Sequence, residues 1–253
     1  MSFIKIALFQ LKLYIKNTYF VNLVVIETTT MLLYEYLSHY VHHTYTGREW
    51  LIAGVMGTWA SCTTSAGALG FQRFQGTLPY LLNTGVRREK VLLATLMPAA
   101  IYGLTAFPLA GIEAILLGMP IKYLDWQLVL GVFLLWLAAT VLSYFISLFF
   151  VLSKNAIVYE QLLLLPILLL SGLLNIPYFI SQKIQPFQIF SPLTFPIKII
   201  YHLPINFIIY HLPINFIWII MYIIVVFVFI FLSKYMTNIV IKRAFKEGRL
   251  NVF

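Results

Sequence analysis

Apolar residues in this chain come in long unbroken runs, roughly Thr18 to Tyr40, Leu51 to Gly70, Val91 to Gly118, Asp125 to Leu152, Ala156 to Asn175 and Ile214 to Ser233. Crossing about 30 Å of hydrocarbon takes roughly 20 residues at ~1.5 Å per residue, and each run is long enough. Barrel strands would instead alternate polar and apolar positions over ~10-residue segments. The pattern predicts an all-α integral membrane protein with six transmembrane helices, forming a single transmembrane domain over residues 1–253. Composition closes the soluble alternative: with 61% of residues apolar and 10% charged, there is too little polar surface to cover a soluble domain.

Charge adds orientation. The net charge of +9 sits in short clusters between apolar runs, a layout that sets topology rather than one that binds nucleic acid. With the N-terminus inside, one side of the membrane receives Lys5, Lys12, Lys16, Arg73, Arg87, Arg88, Lys90, Lys154, Lys234, Lys242, Arg243, Lys246 and Arg249, thirteen in all. The other receives four: Arg48, Lys122, Lys183 and Lys198. This asymmetry predicts a multi-pass protein with both termini cytoplasmic and residues 234–253 forming a cytoplasmic tail, and the lack of a secretory leader fits direct insertion into a bacterial plasma membrane. The first seventeen residues, MSFIKIALFQLKLYIKN, have lysines spread through them and no uninterrupted apolar core, unlike a secretory leader. On a helical wheel Lys5, Lys12 and Lys16 share a stripe opposite Phe3, Ala7, Leu11 and Tyr14. Residues 1–17 are therefore expected to lie on the inner membrane face as an amphipathic helix against lipid headgroups; the alternative is an inward extension of the first span.

Local chemistry singles out the inner loop of residues 71–90, which contains RFQGTLPYLLNTGVRREK. Thr77 is a candidate N-cap, Pro79 suits a first turn, and Gly85 suits a left-handed C-terminal position. These signals predict a two-turn helix from Leu78 to Thr84 whose apolar face is Leu78, Leu81 and Leu82, followed by the basic group Arg87-Arg88-Glu89-Lys90. A short capped helix of this kind is either a docking knob for a cytoplasmic partner or an ordinary interfacial loop.

Gly76-Thr77-Leu78, Leu81-Leu82 and Arg87-Arg88, at this position among six spans, resemble the coupling loop in the permease subunits of type 2 ABC exporters. Gln72, Arg73 and Gln75 stand where that family often has an acidic residue, and Gly85 where it often has proline. The resemblance implies that Arg73, Gly76, Thr77, Leu78, Leu81, Leu82, Arg87 and Arg88 contact an ABC ATPase. It also implies two ATPase copies carrying the ATP and Mg, a second permease chain, identical or paralogous, and short re-entrant helices in the outer connection. The chain itself has no G-x-x-x-x-G-K-[ST] phosphate loop and no soluble stretch long enough for a nucleotide domain, so no cofactor is assigned to it and it is not read as an enzyme. The implied function is export of a hydrophobic or amphipathic substrate, such as a peptide or bacteriocin, a drug or a lipid-like molecule.

Polar residues inside the spans supply further candidates. Span two, LIAGVMGTWASCTTSAGALG, carries the small pairs Ala53/Gly57, Ser61/Ser65 and Ala66/Gly70, which predict close helix packing. Span one carries Asn22, Glu27, Thr28, Thr29 and Thr30; with Glu113 of span three these are the candidates for a substrate route that favours cationic or amphipathic cargo. Glu35, Glu113 and Glu160 fall near span ends, where headgroup water can solvate them. The rival functional class is an ATP-independent membrane protein: a proton-coupled carrier using Glu27, or an outer-facing metal handler using His39, His42 and His43, which are weak candidates because no cysteine or paired carboxylate joins them.

Residues 176–213, with six prolines, predict short broken helices dipping into the outer leaflet. Within them Ile199 to Phe216 is the block IIYHLPINF written twice. A period of nine puts His202 and His211 on opposite faces of a helix or a strand, so the copies cannot form one repeated binding surface. Pro213 of the second copy is expected to open span six, and the first copy reads as a tandem duplication that a loop tolerates.

Overall fold

The structure, a computed structural model, describes residues 3–15, 18–40, 44–152, 156–173, 178–201 and 214–246. Helices account for its regular structure, with no strand among the described residues. In chain order they are α1 (Phe3–Ile15), α2 (Tyr19–Tyr40), α3 (Glu49–Phe74), α4 (Leu78–Leu82), α5 (Arg88–Tyr102), α6 (Ala106–Leu116), α7 (Trp126–Leu152), α8 (Ala156–Ser171), α9 (Tyr178–Ile184), α10 (Thr194–Ile200) and α11 (Ile214–Lys246). Short 3₁₀ segments, Gly103–Thr105 and Gln185–Phe190, join α5 to α6 and follow α9. Among the described residues four helical stretches are long and apolar enough to cross a membrane: Tyr19–Tyr40, Arg88–Leu116, Trp126–Val151 and Ile217–Ala244. The architecture is that of a helical membrane protein. Two predicted spans fall outside this group for opposite reasons. Helix α3 has ample length, 26 residues, but its glycines and hydroxyl residues dilute its hydropathy. Helix α8 is apolar but only 16 residues long.

Helix α3 is the centre of the bundle, packed by α2, α5, α6 and α7, because its small side chains let neighbours approach. A Cβ added at Gly54 would lie 2.6 Å from the Phe107 ring, and one at Gly57 would strike Thr28 Oγ1 and sit 2.8 Å from Ala106 Cβ. Gly70 differs from the expectation: nothing lies within 4 Å of an added Cβ there, so the Ala66/Gly70 pair is not a close crossing point.

The stretch Arg88–Leu116 is broken at Gly103–Thr105 because Pro108 has no N–H to give and its ring clashes with the carbonyl four residues earlier, Leu104. Exposed carbonyls in hydrocarbon need partners, and neighbouring helices provide them. Ser61 Oγ donates to Ala99 O (2.8 Å), Thr58 Oγ1 to Gly103 O (2.9 Å), and Trp136 Nε1 to Ala100 O (3.1 Å). The hydroxyls that lower α3's hydropathy thus hold the break together.

Both ends of the bundle are defined by packing. At one end, Leu69 of α3 clusters with Leu78 and Leu82 of α4, Leu92 of α5, Val151 of α7 and Ile241 of α11. At the other, Trp50 Nε1 donates to Lys122 O (3.3 Å) and the Lys122 stem lies against Gly47. There α10 is wedged between α7 and α11: Ile200 is buried against Gly131, and the Phe195 and Tyr222 rings are 5.6 Å apart. Between residues 178 and 201 the chain forms short helices, α9, the 3₁₀ segment Gln185–Phe190 and α10. Of the duplicated block, residues 202–213, with His202, His211 and Pro213, lie outside the described residues. Ile199 and Ile200 close α10 and Ile214 begins α11.

Helix α11 continues thirteen residues past Ser233 to Lys246, because Met236, Val240, Ile241 and Ala244 keep an apolar face that packs with Leu148 and Val151 of α7. Helix α1 is separate from α2 and packs along α5. Ile6 and Tyr14 are buried, Tyr14 donates to Thr95 O (3.3 Å), and Lys5 and Lys12 are exposed.

Candidate coupling surface and membrane acid site

Helix α3 ends at Phe74, and the chain reverses through Gly76 at φ +70°, a left-handed conformation that an L side chain resists. Pro79 follows in the first turn of α4, where a missing N–H is harmless. Three sequence expectations change here. The helix runs Leu78–Leu82, two residues shorter than Leu78 to Thr84, though Gly85 does take the expected left-handed φ of +72°. Thr77 occupies the N-cap position, but its hydroxyl donates backwards to Gln72 O (3.0 Å) and contacts Gln72 Oε1, tying α4 to the end of α3. The leucine face of α4 turns inward: Leu78 is 0% exposed, Leu82 is buried with it, and Leu81 is partly buried near Ile6 and Val91.

What α4 presents outward is Tyr80, 79% exposed, followed by the exposed Asn83, Thr84, Gly85 and Arg87. Arg73, expected in the same surface, is buried and donates through Nη1 to Phe150 O and Val151 O, each at 3.3 Å. These are carbonyls of the last turn of α7, which have no partner inside their own helix and carry its negative dipole end. Arg73 is therefore a cap for α7. Arg88 is partly buried at the first turn of α5.

The span-one candidates scatter around α2. Asn22 and Thr30 are exposed, Glu27 is partly buried, and Thr28 is fully buried against Gly57 and Ala106, a packing position rather than a route. The structure brings together one pair. Thr29 Oγ1 donates to Glu113 Oε1 at 2.6 Å, in the range of a charge-assisted O–H···O⁻ bond. The pair lines a recess of about 180 Å³ with Leu32, Leu33, Leu116 and Leu117. Glu113 Oε2 is buried and has no hydrogen-bond partner. Glu113 is thus engaged with α2 rather than held in open headgroup water.

Glu35 also departs from the headgroup expectation: it is 2% exposed, with its Oε2 3.7 Å from His39 Nδ1. Near it, Glu49 accepts from Thr46 N (2.6 Å), Thr46 Oγ1 (2.9 Å) and Gly47 N (2.8 Å) in the turn ahead of α3. Burial pushes the Glu49 carboxyl up, but these donors together outweigh it and hold the group below the usual carboxylate range. The side chain of Glu160 lies outside the described residues, as do His42 and His43. His39 stands in no cluster of three His, Cys, Asp or Glu among the described residues. Sequence reasoning missed Tyr80 as the outward residue of α4, although its place opposite Leu78 and Leu82 is readable on a helical wheel.

Comparison with family models, curated proteins and solved structures finds no match at any of the three levels.

Proposed function

We propose that this chain is the membrane-spanning subunit of an ATP-driven exporter of the type 2 ABC class. In this reading α3 and α8 complete six crossings, both termini face the cytoplasm, and two chains pair with two ATPase subunits that hold ATP and Mg. The cargo is hydrophobic or amphipathic and moves outward by alternating access. One observation carries the reading: the loop of residues 71–90 presents a short helix fixed to the bundle by buried leucines and aimed outward through Tyr80. A docking helix must transmit force, so it needs a rigid seat as well as an exposed contact. Leu78 and Leu82 supply the seat, and Tyr80, Asn83 and Thr84 supply the contact. The leucines act through the fold, and the partner meets the opposite face.

The experiment follows from that division. Tyr80→Asp places a charge where an aromatic anchor would enter an ATPase cleft, and aromatic anchors dominate interface energetics. It is expected to weaken co-purification with the candidate ATPase by roughly tenfold or more and to uncouple cargo-stimulated ATP hydrolysis, while leaving thermal stability in detergent unchanged. Leu78→Asp is expected to lower thermal stability itself, because it buries an unpartnered carboxylate. Unchanged ATPase association in folded Tyr80→Asp protein would overturn the proposal.

A further inference from the structure

We infer that the recess between α2 and α6 is a binding site for the primary ammonium group of a cationic amphiphile, with Glu113 as its counter-charge and Thr29 as the residue that positions Glu113. A carboxylate offers about four lone-pair sites, yet Glu113 receives one hydrogen bond, from Thr29, and its other oxygen is bare. No Lys or Arg lies within ion-pair distance of it among the described residues. Such a group in apolar surroundings is costly unless something joins it. The residues that line the recess beside it, Leu32, Leu33, Leu116 and Leu117, supply no side-chain donor to that carboxylate. An ammonium in the recess would neutralise the carboxylate, and the alkyl chain it carries matches the leucines.

Size and surroundings fix the kind of molecule. At about 180 Å³ the recess is smaller than the ~300–1,000 Å³ of sites that enclose a drug-sized ligand, so it takes a headgroup and the first part of a chain. Beyond it the surface continues as exposed apolar side chains, with Ile112, Ile115 and Leu116 on α6 each more than half exposed, where a tail can lie among lipid. The occupant is a single-chain amine amphiphile. As the cargo's entry point the site rests on the exporter reading, but binding itself requires no ATPase.

The test uses the purified full chain in phosphatidylcholine nanodiscs and a dodecylamine bearing a diazirine near the nitrogen, with the matching dodecanol probe as the neutral arm. The amine is expected to crosslink peptides containing Leu32–Leu33 and Leu116–Leu117. Glu113→Gln, which keeps an acceptor for Thr29, should reduce that crosslinking roughly tenfold, as expected for loss of a hydrogen bond to a charged group. Glu113→Asp should restore it in part, and Glu27→Gln should leave it unchanged. Equal labelling by the alcohol, or full labelling of folded Glu113→Gln, would overturn the inference. Loss of labelling when phosphatidylethanolamine is added to the bilayer would assign the recess to lipid and overturn it as well. The two proposals fail separately: amine labelling without ATPase association removes the exporter reading alone, and ATPase coupling without amine labelling removes this site alone.

Discussion

Arg73 lies beside Gly76 and Thr77 in the sequence, which made it look like part of the docking surface, but its partners Phe150 and Val151 are 77 and 78 positions away. A basic residue in an inner loop satisfies the positive-inside pattern wherever it points, so no local signal separates a surface contact from a buried cap. The same blindness hid the Thr29–Glu113 bond, whose members are 84 residues apart. Capping carries a testable energy. Arg73→Met removes the donor to two carbonyls that cannot be satisfied within α7, and leaving buried polar groups unmade costs about 1–3 kcal/mol. The variant is expected to unfold at a lower temperature in detergent, while its folded fraction binds the candidate ATPase normally. Unaltered stability combined with lost ATPase association would return Arg73 to the docking surface.

At the scale of elements, legibility depended on whether a signal names its own partner. The small residues of α3 mark close packing whatever packs there, and α2, α5, α6 and α7 all pack on it. The leucines of α4 mark an apolar face but not what covers it. A five-residue helix seated over the bundle end gives that face to its own core first, which is why Leu78 and Leu82 are buried and Tyr80 is exposed. The length of α11 was missed because Lys234 looks like a stop, whereas a lysine on the outer face of a helix interrupts nothing. Packing through α3 predicts unequal glycines. Gly57→Val forces methyl groups against Thr28 and Ala106, neither of which is flexible enough to yield, and overpacking of this kind costs about 1–3 kcal/mol. Gly70→Ala meets open space and gains helix propensity. Thermal denaturation should therefore rank Gly57→Val well below the parent and Gly70→Ala level with it or above. Equal losses at both sites would show that the α2–α3 contact is looser than described.

For the whole molecule, the runs of apolar residues made the membrane class readable at once, because burying that much apolar surface in a soluble fold is impossible at 10% charged residues. Which helix ends share a side is a stricter matter, and two independent features bear on it. The basic residues were assigned to one side by counting, and packing gathers the same connections at one end: the α3–α5 loop, the end of α7 and the end of α11 join a single cluster. The α2–α3 and α6–α7 connections meet at the other end, where Trp50 bonds Lys122, and α10 packs there on the first part of α7. The count gives direction and the packing gives grouping, so together they predict labelling. Cys62 is 0% exposed and leaves the parent protein silent to an impermeant maleimide. Cysteines placed at Lys122 and Lys183, both exposed, are expected to react in intact cells. Those placed at Asn83 and Lys242, exposed at the basic end, should react only after permeabilisation. Reaction at Asn83 in intact cells would put Tyr80 outside, where no ATP is available, and the docking reading would fail with it. Reaction at Lys122 and Lys242 from the same side would instead contradict the grouping of the helix ends.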